Sequence, residues 1–246
     1  GASNVAVGSN ALGANTTAAN NVAVGNGALI VNTTGASNTA VGTSALAAAT
    51  TASGNTAVGI NAGDAITTGY HNVALGGFAL STNITGAQNV AVGYEALFNN
   101  TANNTTAVGH DSLKGNTSGT GNSAFGYRAL TANTTAANNT AVGSNSLDVN
   151  TTGANNTAVG NNALGANTTA ANNVAVGNGA LDANTTGTQN IGIGLNALGV
   201  NTTASYNVAI GTNALAANTT GASNTAVGEN TLGSNTTASN NSAFGA

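Results

Sequence analysis

The stretch Asn20–Leu29 reads NNVAVGNGAL, and the same ten letters return at Asn172–Leu181. The identity extends upstream through NALGANTTAA, so residues 10–29 and 162–181 are the same. No residue of this stretch carries a charge near neutral pH. Shorter versions of the phrase fill the chain, and internal repeats of this kind decide the architecture before any local signal does.

The glycine that closes the phrase N-x-A-V-G sets the period. It recurs every 17 residues, except that the interval from Gly93 to Gly109 is 16. Copies are numbered here by positions 1 to 17 of the first one, Gly1–Thr17, and equivalent positions form a column. Fifteen copies cover residues 1–246, which predicts a single continuous array without a domain boundary. The closing glycines are Gly8, Gly25, Gly42, Gly59, Gly76, Gly93, Gly109, Gly126, Gly143, Gly160, Gly177, Gly194, Gly211, Gly228 and Gly245.

The columns differ in what they accept. Position 8 is always Gly, which indicates a positive φ or a site without room for Cβ. Position 6 is Ala except for Gly192, position 7 is always apolar, and position 12 is Leu except for Gly63. Position 1 alternates between Gly and Ala along much of the chain.

Short units rich in β-branched residues and punctuated by Gly and Asn are typical of β structure. A unit of 17 residues cannot bury its own apolar side chains, whereas stacked units can. We therefore predict an all-β fold, a β-solenoid or β-roll of about fifteen turns, with one strand at x-A-V and another around A-L. At ~4.8 Å per turn the array would form a rod on the order of 70 Å long.

The orientation of the strand residues has two interpretations, because neighbouring residues of a strand point to opposite faces. In the first, Val7 and Leu12 fill the interior, while the small residues at position 6 face a second copy of the chain. In the second, Ala lies inside and Val is half-exposed. The first interpretation makes seven alanines candidates for a chain–chain contact: Ala6, Ala23, Ala40, Ala57, Ala141, Ala158 and Ala175.

Two asparagine columns stand out. At position 4, Asn suits a corner and its amides can bond from turn to turn. At position 15, Asn opens an N-T-T phrase that we expect to be exposed and that fits the N-glycosylation acceptor N-x-[ST]. A turn that needs Asn beside a strand that favours Thr would produce the same match without glycosylation. The candidate acceptors are Asn15, Asn32, Asn83, Asn116, Asn133, Asn150, Asn167, Asn184, Asn201, Asn218 and Asn235.

Composition excludes several classes of protein. The chain has two basic and six acidic residues, no Cys and a net charge of −4. So few basic residues cannot neutralise a nucleic-acid backbone. No apolar run is long enough for a transmembrane helix, and there is no disulfide framework. A start on Gly and a stop inside a copy are what we expect of a segment of something longer.

Catalysis is not indicated either. His71, His110, Asp111, Asp64 and Glu95 concentrate in the middle third, but their spacing does not recur and no third metal ligand or acid–base partner is evident. His110 and Asp111 would diverge if they lay in a strand. Drift at exposed loop positions explains these residues, so we predict a protein that is not an enzyme and needs no cofactor.

The phrase N-[VTS]-A-[VIF]-G-x-x-A-L resembles the β-roll head repeats of trimeric autotransporter adhesins and repeats of phage tail-fibre-like and bacterial surface fibre proteins. It does so in all fifteen copies, from Asn4–Gly8 to Asn241–Gly245. The resemblance implies an extracellular or cell-surface fibrous protein whose partner is itself, as a homotrimer or end-to-end filament, with a host surface or glycan as a further partner.

Two functions compete at this point. The leading hypothesis is a structural rod of an extracellular fibre, filament or adhesin, which self-associates through its small-residue faces or its ends. The alternative is an ice-binding solenoid that presents one Asn15–Thr17 pair per turn on a flat face.

Overall fold

The computed structural model describes residues 1–245 and contains only strands and turns in that range. Each copy contributes one three-residue strand, which confirms the all-β solenoid with one circuit per repeat. The strands are β1 Val5–Val7, β2 Val22–Val24, β3 Thr39–Val41, β4 Thr56–Val58, β5 Val73–Leu75, β6 Val90–Val92, β7 Thr106–Val108, β8 Ser123–Phe125, β9 Thr140–Val142, β10 Thr157–Val159, β11 Val174–Val176, β12 Ile191–Ile193, β13 Val208–Ile210, β14 Thr225–Val227 and β15 Ser242–Phe244.

The chain divides into two compact units, Gly1–Gly121 with β1–β7 and Asn122 onward with β8–β15. Within each unit, strands of consecutive copies pair in parallel. The register joins equivalent positions, so that Ala23 lies beside Ala40 in the first unit and Ala158 beside Ala175 in the second. In the 16-residue copy the strands keep the same partners, with Val90 beside Thr106. The missing residue is therefore absorbed outside the strand.

The invariant glycine is required for both of the reasons that the sequence indicates. Gly25 has a φ of 136°, a conformation that L side chains rarely adopt. A Cβ built on it would also lie 2.4 Å from the carbonyl oxygen of Gly42 in the next turn. The close approach of the next turn and the positive φ together exclude any other residue.

From the glycine onward φ is positive at positions 8, 10 and 12, and the predicted second strand around A-L is wrong. Position 12 is left-handed in every copy, as for Leu29 with a φ of 51°. A non-glycine residue in this region costs ~1–2 kcal/mol. Complete burial of the Leu side chain contributes ~2–3 kcal/mol, which offsets that cost. Leu29 N–H donates to Ala45 O of the next turn at 3.0 Å, so this segment also joins neighbouring turns.

The interior is filled by alanines, one Leu per turn and asparagine side chains, whereas the large strand residues lie outside. Ala23 and Ala28, at positions 6 and 11, and Leu29 are all fully buried. By contrast Val58, at position 7, is 40% exposed. Burial of Leu at position 12 agrees with the first interpretation, but its placement of Val inside and Ala outside is wrong. The interpretation with Ala inside and Val half-exposed is confirmed.

The asparagines at position 4 form a buried ladder along each unit. Asn55 Oδ1 accepts hydrogen bonds from the Asn72 backbone N–H at 2.9 Å and from Asn72 Nδ2 at 3.1 Å. Asn55 Nδ2 in turn donates to Gly69 O at 2.9 Å. The predicted turn-to-turn amide bonds are thus confirmed. The left-handed residue of this corner is the one before the Asn, such as Ser37 with a φ of 59°.

A second buried amide ladder follows position 15 and is interrupted where two copies carry other residues. Asn184 Nδ2 donates to Asn167 Oδ1 at 3.2 Å and to Gly187 O at 2.9 Å. Ala49 and Ile66 occupy this column in the third and fourth copies. Asn32 Oδ1, which faces the turn of Ala49, is buried and has no hydrogen-bond partner among residues 1–245, and Asn15 Oδ1 is buried in the same way.

Ile66 compensates for the one copy that lacks Leu at position 12. The missing side chain is that of Gly63, and a Cβ there would lie 3.0 Å from Ile66 Cδ1 and 3.2 Å from Leu46 Cδ2. Ile66 is itself fully buried. The isoleucine at position 15 therefore fills the space that Leu fills in the other copies.

Substitution of a buried ladder residue tests the amide bonds. Asn55→Ala leaves the Asn72 N–H and the Gly69 carbonyl without their partners, and each unsatisfied buried group costs ~1–3 kcal/mol. We expect the free energy of unfolding to fall by about 2–5 kcal/mol in denaturant titrations. The exposed Asn26, replaced by Ala, serves as the control and should change stability by less than ~0.5 kcal/mol. Equal effects of the two substitutions would contradict the ladder.

The Gly63–Ile66 compensation predicts a favourable coupling. Gly63→Leu alone should destabilise by about 1–3 kcal/mol, because Leu overpacks against Ile66. Ile66→Asn alone should also destabilise, because it leaves a void beside Gly63. The double variant restores the Leu and Asn of the other copies. Its loss of unfolding free energy should therefore be at least ~1 kcal/mol smaller than the sum of the losses in the two single variants. Strict additivity in the double-mutant cycle would disprove the compensation.

Candidate interaction surfaces

The expected exposure of the N-T-T asparagines is wrong, since their side chains point inward. Nine of the eleven candidate acceptors are fully buried: Asn32, Asn83, Asn116, Asn133, Asn150, Asn167, Asn184, Asn201 and Asn218. Asn15 and Asn235 are half-buried, and their Nδ2 groups also donate to backbone carbonyls. A glycan needs that nitrogen free, so the folded interior does not accommodate one at the nine buried positions.

The alanine column is not a surface for a second chain. Six of the seven candidates, Ala23, Ala40, Ala57, Ala141, Ala158 and Ala175, are fully buried inside the chain itself. Ala6 is exposed because it lies in the first turn, which has a neighbouring turn on one side only. The small-residue constraint thus reflects the narrow interior. The sequence does not show that Ala points inward, because residues of a strand alternate between two faces and the pattern does not tell which face is the interior.

The outer side of the strands is a regular apolar surface. We call it the sheet face and define it by positions 5 and 7 of each copy. Position 7 is always aliphatic or Phe, and position 5 is Val, Ile, Thr or Ser. Exposure is 40% for Val58, 42% for Phe125 and 37% for Ile193. No charged residue occupies either column. In each unit the sheet face is a regular uncharged strip, two side chains wide.

Charged residues collect on another side of the turn. Seven of the eight lie at positions 10 and 13, the exception being Glu229. Lys114 forms ion pairs with Glu95 and, at 3.3 Å, with Asp111. The hydrogen bond to Glu95 is the main cause that raises the pKa of Lys114. The same carboxylate accepts from the neighbouring Tyr94 and raises the pKa of its hydroxyl.

The candidate acid–base residues are brought together in part. His110 Nδ1 lies 3.1 Å from Asp111 Oδ2, because these residues lie in the turn rather than in a strand. The divergence expected of two successive strand residues therefore does not apply to them. His71 packs instead against Tyr70, and Asp64 accepts a hydrogen bond from Ser81 at 2.5 Å. Within residues 1–245 no group of three or more His, Cys, Asp or Glu side chains could hold a metal ion.

A groove follows positions 10, 13 and 14 in the second unit. Its larger part has a volume of about 470 Å³ and a smaller part has about 250 Å³, and both are lined by Asp182. Asp182 Oδ1 lies 2.6 Å from the place of a Cβ on Gly165, so the carboxylate leans over the preceding turn. Burial raises the pKa of Asp182. Asp148 Oδ2 lies 3.3 Å from Arg128 Nη2, whereas Asp148 Oδ1 is buried without a hydrogen-bond partner.

The threonines of the N-T-T phrase bond between turns. Thr151 Oγ1, at position 16, donates to Thr168 O at 3.0 Å, and Thr185 Oγ1 donates to Thr202 O at 3.1 Å. Threonines at position 17 are exposed in many copies, whereas the asparagines at position 15 are buried. The Asn–Thr pair that the ice-binding alternative requires on one face is therefore absent from the buried copies.

Comparison with known proteins leaves the geometry as the main guide. No family model, no curated protein and no solved structure matches the chain. In residues 1–245 no helix is present that could cross a membrane. The parallel turns of 17 residues are compatible with a β-roll repeat.

The raised pKa of Asp182 determines how this residue affects stability as the pH changes. A carboxyl whose folded-state pKa lies above its ordinary value is destabilising when ionised, and this penalty disappears as the pH falls below the ordinary pKa. Asp182→Asn should therefore raise the unfolding midpoint at pH 7, and the gain should vanish near pH 3. Glu229→Gln, at an exposed position, is the charge-matched control and should leave the unfolding midpoint unchanged both at pH 7 and near pH 3. A loss of stability in Asp182→Asn at pH 7 would contradict this account.

Proposed function

We propose that the chain is a structural rod of an extracellular or cell-surface fibre, and that it associates with further copies of itself through the sheet face. The observation that carries the proposal is that, within the strands, the large apolar side chains lie outside and the small Ala lies inside. Regular apolar strips of this kind mark interaction surfaces. The proposal assigns no catalytic step and no cofactor to the chain.

The available area supports association between copies. The first unit presents fourteen sheet-face positions, two for each of β1–β7. Their summed exposed area is on the order of several hundred Å², the scale of the ~800 Å² per partner of a standard stable interface. Val and Ile lose little rotamer freedom on contact because they are stiff at χ1. The absence of charge from the strip removes the desolvation cost that a charged surface would add.

The interior supports a mechanical role. Each turn is joined to the next by strand pairing, by bonds of the left-handed segment and by two amide columns. Stability then adds up from turn-to-turn interfaces, as it does in repeat proteins. The resemblance to β-roll adhesin heads and surface fibres supports the extracellular location. Ice binding is not proposed, because the interior takes up the Asn column on which it depended.

A matched pair of substitutions tests the sheet face. Val58 and Val31 are equally exposed, at 40% and 39%, but only Val58 lies on the sheet face. Val58→Lys places an ammonium group in the apolar strip, whose burial costs several kcal/mol. We expect light scattering to give an assembly larger than one chain for the unaltered protein and for Val31→Lys, and at least a tenfold weaker association for Val58→Lys.

Two results would contradict the proposal. One is a single-chain mass for the unaltered protein at high micromolar concentration, with no fibres in electron micrographs. The other is an equal effect of the two lysines. Thermal hysteresis of dilute single chains would favour the ice-binding alternative instead.

A further inference from the structure

The groove beside Asp182 is not used by the proposed association, because none of its lining residues lies at positions 5 or 7. It is built from positions 10, 13 and 14 of consecutive copies within the second unit. From the turn of Arg128 to that of Ala216 it spans roughly 24 Å, at ~4.8 Å per turn. Gly165 and Gly199 open the floor on either side of Asp182.

The middle of the groove offers an acceptor that no donor of the protein occupies. Asp182 makes no ion pair and no side-chain hydrogen bond within residues 1–245. Asp148 is paired with Arg128 through one oxygen only, and its other oxygen is buried without a partner. Asp182 is part-buried and lines both cavities, so its carboxylate offers an accessible acceptor to a ligand that donates.

The sides of the groove add hydrogen-bond donors, acceptors and aliphatic side chains. Asn145 and Asn162 line the larger cavity, and Asn196 and Asn213 line the smaller one. Each carboxamide both donates and accepts, which matches the dual capacity of a hydroxyl group. Val149, Ala166 and Val200 supply apolar contacts beside them. Polyhydroxylated chains with C–H faces have this alternation of polar and apolar groups.

Other ligand classes fit less well. An anion would meet two carboxylates, and a divalent cation would meet the Arg128 guanidinium, which lies 3.3 Å from Asp148. An added peptide strand needs free backbone groups. Here Asn145 N–H already donates to Tyr127 O, and Asn162 N–H to Ser144 O.

We infer that this groove binds a neutral, extended oligosaccharide, with Asp182 accepting from its hydroxyl groups and the position-10 asparagines bonding along its length. Asp182 is the central contact because it lines both cavities. The site would give the fibre an affinity for glycan surfaces that is independent of its self-association.

The test titrates the full chain with four neutral hexasaccharides, cellohexaose, xylohexaose, chitohexaose and maltohexaose, and follows the side-chain amides by NMR. We expect at least one of them to shift the carboxamide signals of Asn145, Asn162 and Asn196. Asp182→Asn keeps the shape and is expected to fold at least as stably, so a tenfold or greater loss of affinity in it reports binding. Glu229→Gln removes the same charge elsewhere and should bind like the unaltered protein.

Three outcomes would overturn the inference. The first is that none of the four sugars shifts these signals. The second is that a sugar binds with equal affinity to Asp182→Asn. The third is that calcium chloride alone shifts them through Asp182 while the sugars do not, which would mark a cation site.

Discussion

The structure depends on a buried amide that only the next turn can satisfy. Every copy but one directs an asparagine at position 4 into the interior, and most direct a second one there from position 15. A single turn would leave these amides unpaired at ~1–3 kcal/mol each. In register, the oxygen of one amide meets the backbone N–H of the next, and its nitrogen meets a carbonyl. Stacking therefore removes the free-energy cost of the unpaired amides in an isolated turn. A shift of the register by one residue would break every amide hydrogen bond of the position-4 column.

The other columns follow from the narrow interior that these ladders share with Ala and Leu. Turns approach so closely at position 8 that only Gly fits, and Ala at positions 6 and 11 leaves space for one Leu per turn. Larger strand residues must then lie outside. The apolar sheet face is thus a consequence of the same packing, and it leaves the molecule with a surface suited to association.

The sequence predicts the period, the parallel stacking, the glycine requirement and the position-4 ladder, because each is visible in a column that hardly varies. It does not predict which way Val and Ala point. Leu at position 12 is left-handed, so the alternation of a strand does not extend through the turn. Exposure of the N-T-T asparagines is predicted wrongly because their hydrogen-bond partners lie outside the local sequence. Without those partners a polar Asn is expected on the surface. The glycines at position 1 likewise reflect contacts between turns, since a Cβ on Gly35 would lie 2.1 Å from Ala52 O.

The candidate surfaces were less predictable than the fold. The groove arises because Gly165 and Gly199 flank Asp182 at position 13, and its residues are spread over several copies. Nothing in the local sequence around any one of them indicates a site. The charges of the middle third were visible, but their contacts depend on the turn geometry that places Glu95 beside Lys114.

Hydrogen exchange of the asparagine side chains tests the central claim most directly. In a ¹⁵N-labelled sample, NMR separates the carboxamide protons of positions 4 and 15 from those of the exposed positions 3, 9 and 10. The buried ladders should hold their protons orders of magnitude longer than exposed residues such as Asn26 and Asn172. Uniformly fast exchange across all asparagines would show that the amides face water, and the stacked-turn account would be wrong.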